Sequence, residues 1–157
     1  MQFYGLFIEI GKYIIEEVSI GRQVVSQKCL DEFLEFSDLK LFKDKFDQEL
    51  SNSKNSVTVQ TSVTYYDFLV LPLDVVGKFL RNEDILESAM ALDETKYILG
   101  LRLSEIFRDA VLRNEAIDTG YEFFRKFSPF ILSDLYMDVI CKYLTNNDLL
   151  KLKDFTR

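Results

Sequence analysis

The chain contains no histidine. That removes the side chain most often used as a general base near neutral pH, the commonest metal ligand, and the partner that activates a serine or cysteine nucleophile in a triad. Cysteine is almost as scarce: Cys29 and Cys141 are the only two. Two thiols without histidine complete neither a four-cysteine nor a mixed Cys/His zinc site. They lie far apart in sequence, each in an apolar helical pattern. Both are therefore expected to be free, buried thiols in a reducing compartment. Glycine and proline number only 6 and 2, too few for the turns of a β-sandwich or barrel. The glycines present are not spaced to cradle a phosphate, since "IGRQVVS" and "GLRLSEI" match neither the P-loop nor the dinucleotide fingerprint. Calcium-loop spacing is missing as well. No cofactor and no metal are expected.

Long hydrophobic runs are absent too. The most apolar stretch, "TYYDFLVLPLDVV" at 64–76, holds Asp67 and Asp74 and is followed by Lys78. A clean span of ~20 apolar residues, which a membrane helix needs, does not exist. The N-terminal stretch has no basic region ahead of its apolar residues, and Glu9 interrupts it, so no signal peptide is expected. These features predict a cytoplasmic protein that does not enter membranes.

Positive charge is in short supply. Nineteen Lys and Arg stand against 26 Asp and Glu, a net charge of −7. Such a field repels phosphate backbones and disfavours nucleic acid as a partner, while it favours encounter with a basic protein. What the chain has in quantity is aromatic side chains, 14 Phe and 8 Tyr. Their burial is large enough to offset chain entropy, which argues for a folded core.

The apolar periodicity is helical almost throughout. Residues 2–18 fit a helix with Phe3, Phe7, Ile10 and Ile14 on one side. Residues 22–50 contain no Gly or Pro, but the stripe of Val25, Cys29, Phe33 and Phe36 is rotated by roughly 90° from that of Leu39, Phe42, Phe46 and Leu50. This predicts two helices, 22–36 and 38–50, broken at Ser37-Asp38. "SNSKNS" at 51–56 reads as a loop. The alternation of Val57, Val59, Thr61 and Val63 with polar residues predicts a short extended segment near 56–64. An element then ends near Leu71, and Pro72 opens a helix over 72–81.

Asn82 is placed to cap a helix over 82–91. Asp93 and Glu94 precede a helix at 94–113, whose polar stripe of Arg102, Glu105, Asp109 and Arg113 suits a surface ladder of ion pairs. A further helix is expected over 115–127. Ser128-Pro129 signals the start of another, 129–144, with Leu132, Leu135, Tyr136, Val139 and Tyr143 inward. Asn146 or Asn147 opens a short last helix. The expected fold is mostly α: a single domain over 1–157, a bundle of about eight helices with one short extended segment.

With triads, zinc sites and phosphate loops removed, carboxylates are the remaining chemistry. Asp134 and Asp138 share a helix face at i,i+4, but with Lys142 one turn on they read as a solvated face carrying an Asp138–Lys142 pair. The candidate partner-binding residues are Asp31, Glu32, Glu35, Asp38, Asp44 and Asp47 on the second and third helices, with Lys28, Lys40, Lys43 and Lys45 interspersed. Tyr65 and Tyr66 join them, because Tyr is enriched at interfaces. No catalytic residue is assigned. The expected function is a non-enzymatic inhibitor that masks the cleft of a basic enzyme, a bacterial immunity protein acting on a toxin domain being the type. The alternative is a helical adaptor or regulatory module, which includes a viral or phage protein that binds a host protein. An enzyme working through carboxylates ranks third.

Overall fold

Helices form where the apolar periodicity places them, and their ends follow local hydrogen bonding more than composition. The computed structural model describes residues 2–55, 62–91, 98–127 and 134–152. Among them are nine α-helices and no strand: α1 (Gln2–Ser19), α2 (Gln27–Leu34), α3 (Ser37–Asn55), α4 (Tyr65–Val70), α5 (Leu73–Leu80), α6 (Glu83–Met90), α7 (Ile98–Phe127), α8 (Asp134–Tyr143) and α9 (Asn146–Lys151). The fold is mostly α, as the sequence predicts. Contacts divide the chain into two compact units. One holds Met1–Val70 with Leu92–Leu103, the other Leu71–Ala91 with Ser104–Arg157.

In the first unit α1 and α2 both pack on α3. Ile8, Ile15, Leu30 and Leu39 form its core, with Phe7, Val25, Phe33, Leu34 and Phe42 against it. Phe7 stacks on Phe33 at 5.5 Å between ring centroids, a geometry aromatic pairs favour. The inward side of α1 is not the row expected. Phe3 and Ile10 are exposed, while Ile8, Gly11 and Ile15 are buried. A Cβ on Gly11 would stand 2.6 Å from Leu39 Cδ1, so the glycine lets α1 settle directly on α3. Glu17 is buried near the end of α1, where Arg102 Nη2 donates to it at 2.8 Å. Arg22 Nη2 donates to the Leu69 carbonyl and ties this end to α4.

Three boundaries differ from expectation here. α2 starts only after Ser26, whose hydroxyl accepts from the Cys29 amide, and it ends at Leu34, so the break precedes Ser37. α3 continues through residues 51–55 instead of stopping at Leu50. Ser51 Oγ donates to the Asp47 carbonyl, Ser53 Oγ to Leu50 and Asn55 Nδ2 to Ser51. Polar side chains that bond back along their own helix need no loop. Residues 56–61 of the expected extended segment lie outside the described residues, and Ser62–Thr64 form no regular strand.

Thr64 starts α4 with reciprocal bonds. Its hydroxyl accepts from the Asp67 amide at 3.2 Å, and the Asp67 carboxylate accepts from the Thr64 amide at 2.7 Å. This is a capping box in a T-x-x-D sequence.

In the second unit α5 packs on α6. Pro72 stands at the N-cap of α5, extended at φ −58° and ψ 145°, so it divides the apolar run as predicted. Asn82 caps α6, its side chain accepting from the amides of Asp84 and Ile85. α7 is one helix of 30 residues, not two. Asn114, where a break was expected, donates its side-chain amide to the Gly77 carbonyl at 2.7 Å and leaves the helix intact. Residues 94–97 and the Ser128-Pro129 signal lie outside the described residues. α8 buries Met137 and Cys141 instead of Tyr136, Val139 and Tyr143, all three of which are exposed. Ala116, Cys141 and Leu149 form a core with Ile117, Phe124, Leu144 and Leu152 against it. Thr145, not Asn146 or Asn147, caps α9 in a second box, with Asp148.

Candidate functional site

Three of the predicted acids meet in one place. Asp31 on α2, Glu35 just beyond its end and Asp44 on α3 line an open groove of about 360 Å³, together with Leu34, Lys40 and Lys43. The phase change between the two helices creates it. α2 turns Leu30, Phe33 and Leu34 toward α3, which leaves Asp31 and Glu35 on the outer edge. Asp31 accepts from Gln27 Nε2 at 2.8 Å within its own helix. Lys43 is held by Asp47 one turn on, which draws its charge away from the groove carboxylates.

The other predicted residues are placed differently. Glu32 is exposed without lining the groove. Asp38 sits in the first turn of α3, where a carboxylate complements the helix dipole, and accepts from Tyr4 Oη at 3.3 Å. Desolvation, together with the Asp38 carboxylate, pushes the Tyr4 hydroxyl above its usual value. Asp47 accepts from Ser19 Oγ at 3.0 Å and from Lys43, so it serves the α1–α3 contact. Tyr65 and Tyr66 are half-buried on α4, away from the groove lining. Lys54 Nζ stands 4.7 Å over the Tyr66 ring.

Sequence reasoning missed a larger concave feature, a cleft of about 1090 Å³ in the second unit. Lys78 and Arg81 from α5 and its end, Tyr121 and Arg125 from α7, and Asp138 and Lys142 from α8 line it. Its carboxylates are largely occupied: Asp74 by Arg113, Asp118 by Arg81 at 2.7 Å, and Asp138 by the Tyr121 hydroxyl. The expected Asp138–Lys142 pair is replaced by the tyrosine contact, and Asp138 is committed to positioning α8. Cys141 also lines the cleft. Burial pushes its thiol above the usual range, against a smaller opposite pull from Arg113, and Asp138 adds a lesser push upward. A thiol held protonated is a poor nucleophile. The polar stripe of α7 and the Asp138/Lys142 spacing of α8 were the clues to this region. Arg113 is only 6% exposed, so it belongs to the interior and not to a surface ladder.

Among the described residues, no group of three or more Cys, Asp or Glu side chains is arranged to hold a metal ion. None of the described helices is long and apolar enough to cross a membrane. Compared with protein-family models, with curated proteins and with solved structures, the chain matches none.

Proposed function

We propose that this chain is a non-catalytic inhibitor that binds a basic enzyme and masks its cleft, as a bacterial immunity protein does with a toxin domain. The observation that carries it is the convergence of Asp31, Glu35 and Asp44 from two helices on one open groove around Leu34. Three carboxylates outnumber Lys40 and Lys43 around Leu34, and Lys43 is paired with Asp47. Such a lining suits a lysine- or arginine-bearing surface, where charge sets encounter and orientation and the apolar contact adds affinity. The net charge of −7 acts in the same direction over longer range. The test is functional. A toxic gene beside this one, rescued on co-expression of this chain, supports the reading. Neighbouring genes that encode no toxin, with no basic enzyme recovered by pull-down from the source cell, overturn it.

A second reading, a helical adaptor, draws support from α8, where Tyr136, Val139 and Tyr143 form an exposed row at helical spacing. A partner held there binds through apolar contact. Its affinity changes little with salt, and co-expression rescues no toxicity.

A further inference from the structure

α1 carries two separate apolar rows, and only one of them meets its own core. Ile8, Gly11 and Ile15 face α3. The second row is Phe3, Leu6, Ile10 and Tyr13, which are 89%, 60%, 48% and 49% exposed. It lies roughly 150° around the helix from the first. Its spacing of three, four and three residues is the a/d spacing of a coiled-coil seam. The next position of that heptad is Glu17, which is buried and bonded to Arg102, so the seam ends there. Spacing of this kind selects a helix as the partner, because knobs repeating every 3.5 residues match the holes of a supercoiled neighbour.

The order of the side chains selects which helix. The pattern reads the same in both directions, so a second α1 running antiparallel across a twofold axis opposite Ile8 sets Phe3 against Tyr13 and Leu6 against Ile10. A self-complementary patch is what a twofold interface requires. Antiparallel alignment also sets each helix dipole against the opposite end of the other. Four such side chains on each copy remove on the order of 1,000 Å² in total from water, the size at which a specific interface begins. The flanking carboxylate of Glu9 is held by Lys12 at 2.8 Å, so it does not enter the seam as a bare charge.

We infer that the outer row of α1 is a homodimer seam, closed by a second copy of this chain in antiparallel register. The experiment uses the full chain in sedimentation equilibrium at micromolar concentration. The expected mass is twice 18.4 kDa. The double variant Leu6→Glu/Ile10→Glu retains its far-UV circular dichroism and dissociates, its dimer Kd rising at least ~100-fold. Register is read by mixing a Leu6→Cys chain with an Ile10→Cys chain under mild oxidation. A crosslink that forms in the mixture and in neither chain alone fits the antiparallel pair. A monomer at all concentrations, a dimer indifferent to the double glutamate variant, or crosslinks only between like positions overturns the inference. Substitutions in the α2–α3 groove leave the dimer unchanged, so failure of the seam and failure of the inhibitor reading are separately visible.

Discussion

Arg113 Nε donates to Asp74 Oδ1 at 2.8 Å, and the rest of its guanidinium turns to the end of α8. Nη1 donates to the Leu144 carbonyl at 2.8 Å and to Asn146 Oδ1 at 3.0 Å, and Nη2 donates to the Cys141 carbonyl at 2.8 Å. The last carbonyls of a helix lack intrahelical partners, and here a side chain from α7 supplies them. One buried cation thus joins α5, the end of α8 and the start of α9. Only arginine, with donors in a planar fork, reaches all of these at once.

Removing that hub leaves a carboxylate without its cation and several carbonyls without donors. Arg113→Ala is expected to cost about 3–5 kcal/mol, the range for breaking a buried pair from one side. Arg113→Lys keeps the charge and loses the fork, so it recovers only part of this. Urea unfolding of the three proteins reads the difference. A loss below about 1 kcal/mol for the alanine variant, the value of a surface pair, would show that the network does not hold these elements together.

Gly77 gives the contact between α5 and α7 its closeness. A Cβ there would stand 2.6 Å from Asn114 Oδ1 and 3.3 Å from the Ala110 carbonyl, and Asn114 is fixed by its bond to the Gly77 carbonyl. Gly77→Ala is expected to destabilise by ~1–3 kcal/mol, as overpacking does. Gly5 has nothing within 4 Å of the same position, so Gly5→Ala gains roughly 0.5–1 kcal/mol from helix propensity. Thermal unfolding of the pair checks the opposite signs. Two shifts of the same sign are incompatible with this account.

These contacts also mark where the sequence is legible. Helix content follows from periodicity, and Pro72 and Asn82 announce their boundaries because each acts on its own backbone. The phase of α1 and α8 does not follow. Both helices are apolar around much of their circumference, and the buried side is chosen by Gly11 against Leu39 and by Cys141 against Gly120, pairings remote in sequence. Asn114 and the serines of 51–55 mislead for a related reason. A polar side chain that bonds to a neighbouring helix or to its own preceding turn looks, in composition alone, like a loop residue. The capping boxes at Thr64 and Thr145 were available as T-x-x-D. Of the candidate site, the acids of α2 and α3 were visible as acids, but only the rotation between the helices selects Asp31, Glu35 and Asp44 from the six.

The Thr145 box gives the stability a dependence on acid. Hydrogen bonds from the Thr145 side chain and amide hold the Asp148 carboxyl below its usual range, with a smaller contribution from Lys151 against a small desolvation effect. A carboxylate lowered in the folded state contributes stability that is present above its unfolded pKa, about 4. That contribution is lost as pH falls through the lower folded value. Thr145→Ala is therefore expected to lower Tm at neutral pH and to lower it less at a pH below that lowered folded value, where the carboxylate is protonated in both states. An equal deficit at both pH values is the contrary result.

The two thiols are expected to differ in reactivity, because they differ in burial. Burial raises the Cys141 thiol, whereas Cys29 is only half-buried. A group raised in the folded state contributes no penalty below its unfolded pKa, here about 8.5, and costs stability as pH rises beyond it. In a thiol-reagent assay of the native protein near pH 8, Cys29 is expected to react first, with Cys141 following only as the fold opens. Simultaneous labelling of both contradicts the burial of Cys141.

Neutralising the groove tests its electrostatic role directly. Asp31→Asn, Glu35→Gln and Asp44→Asn keep shape and hydrogen-bonding capacity while removing three negative charges. All three side chains are exposed, so folding stability is expected to stay within about 0.5 kcal/mol of the parent, as is usual for surface substitutions. Against a basic partner, the association rate falls while dissociation changes less, because rim charges act mainly on encounter. The parent's association rate is expected to drop steeply between low and physiological salt, and the triple variant's much less, since the charges that salt would screen are gone. The same substitutions at Glu32 and Asp38, acids of this pair of helices outside the groove lining, have a smaller effect. Stopped-flow association at two ionic strengths separates the cases. If the groove and non-groove variants lose rate equally, net charge alone steers the encounter and the groove is not the contact surface.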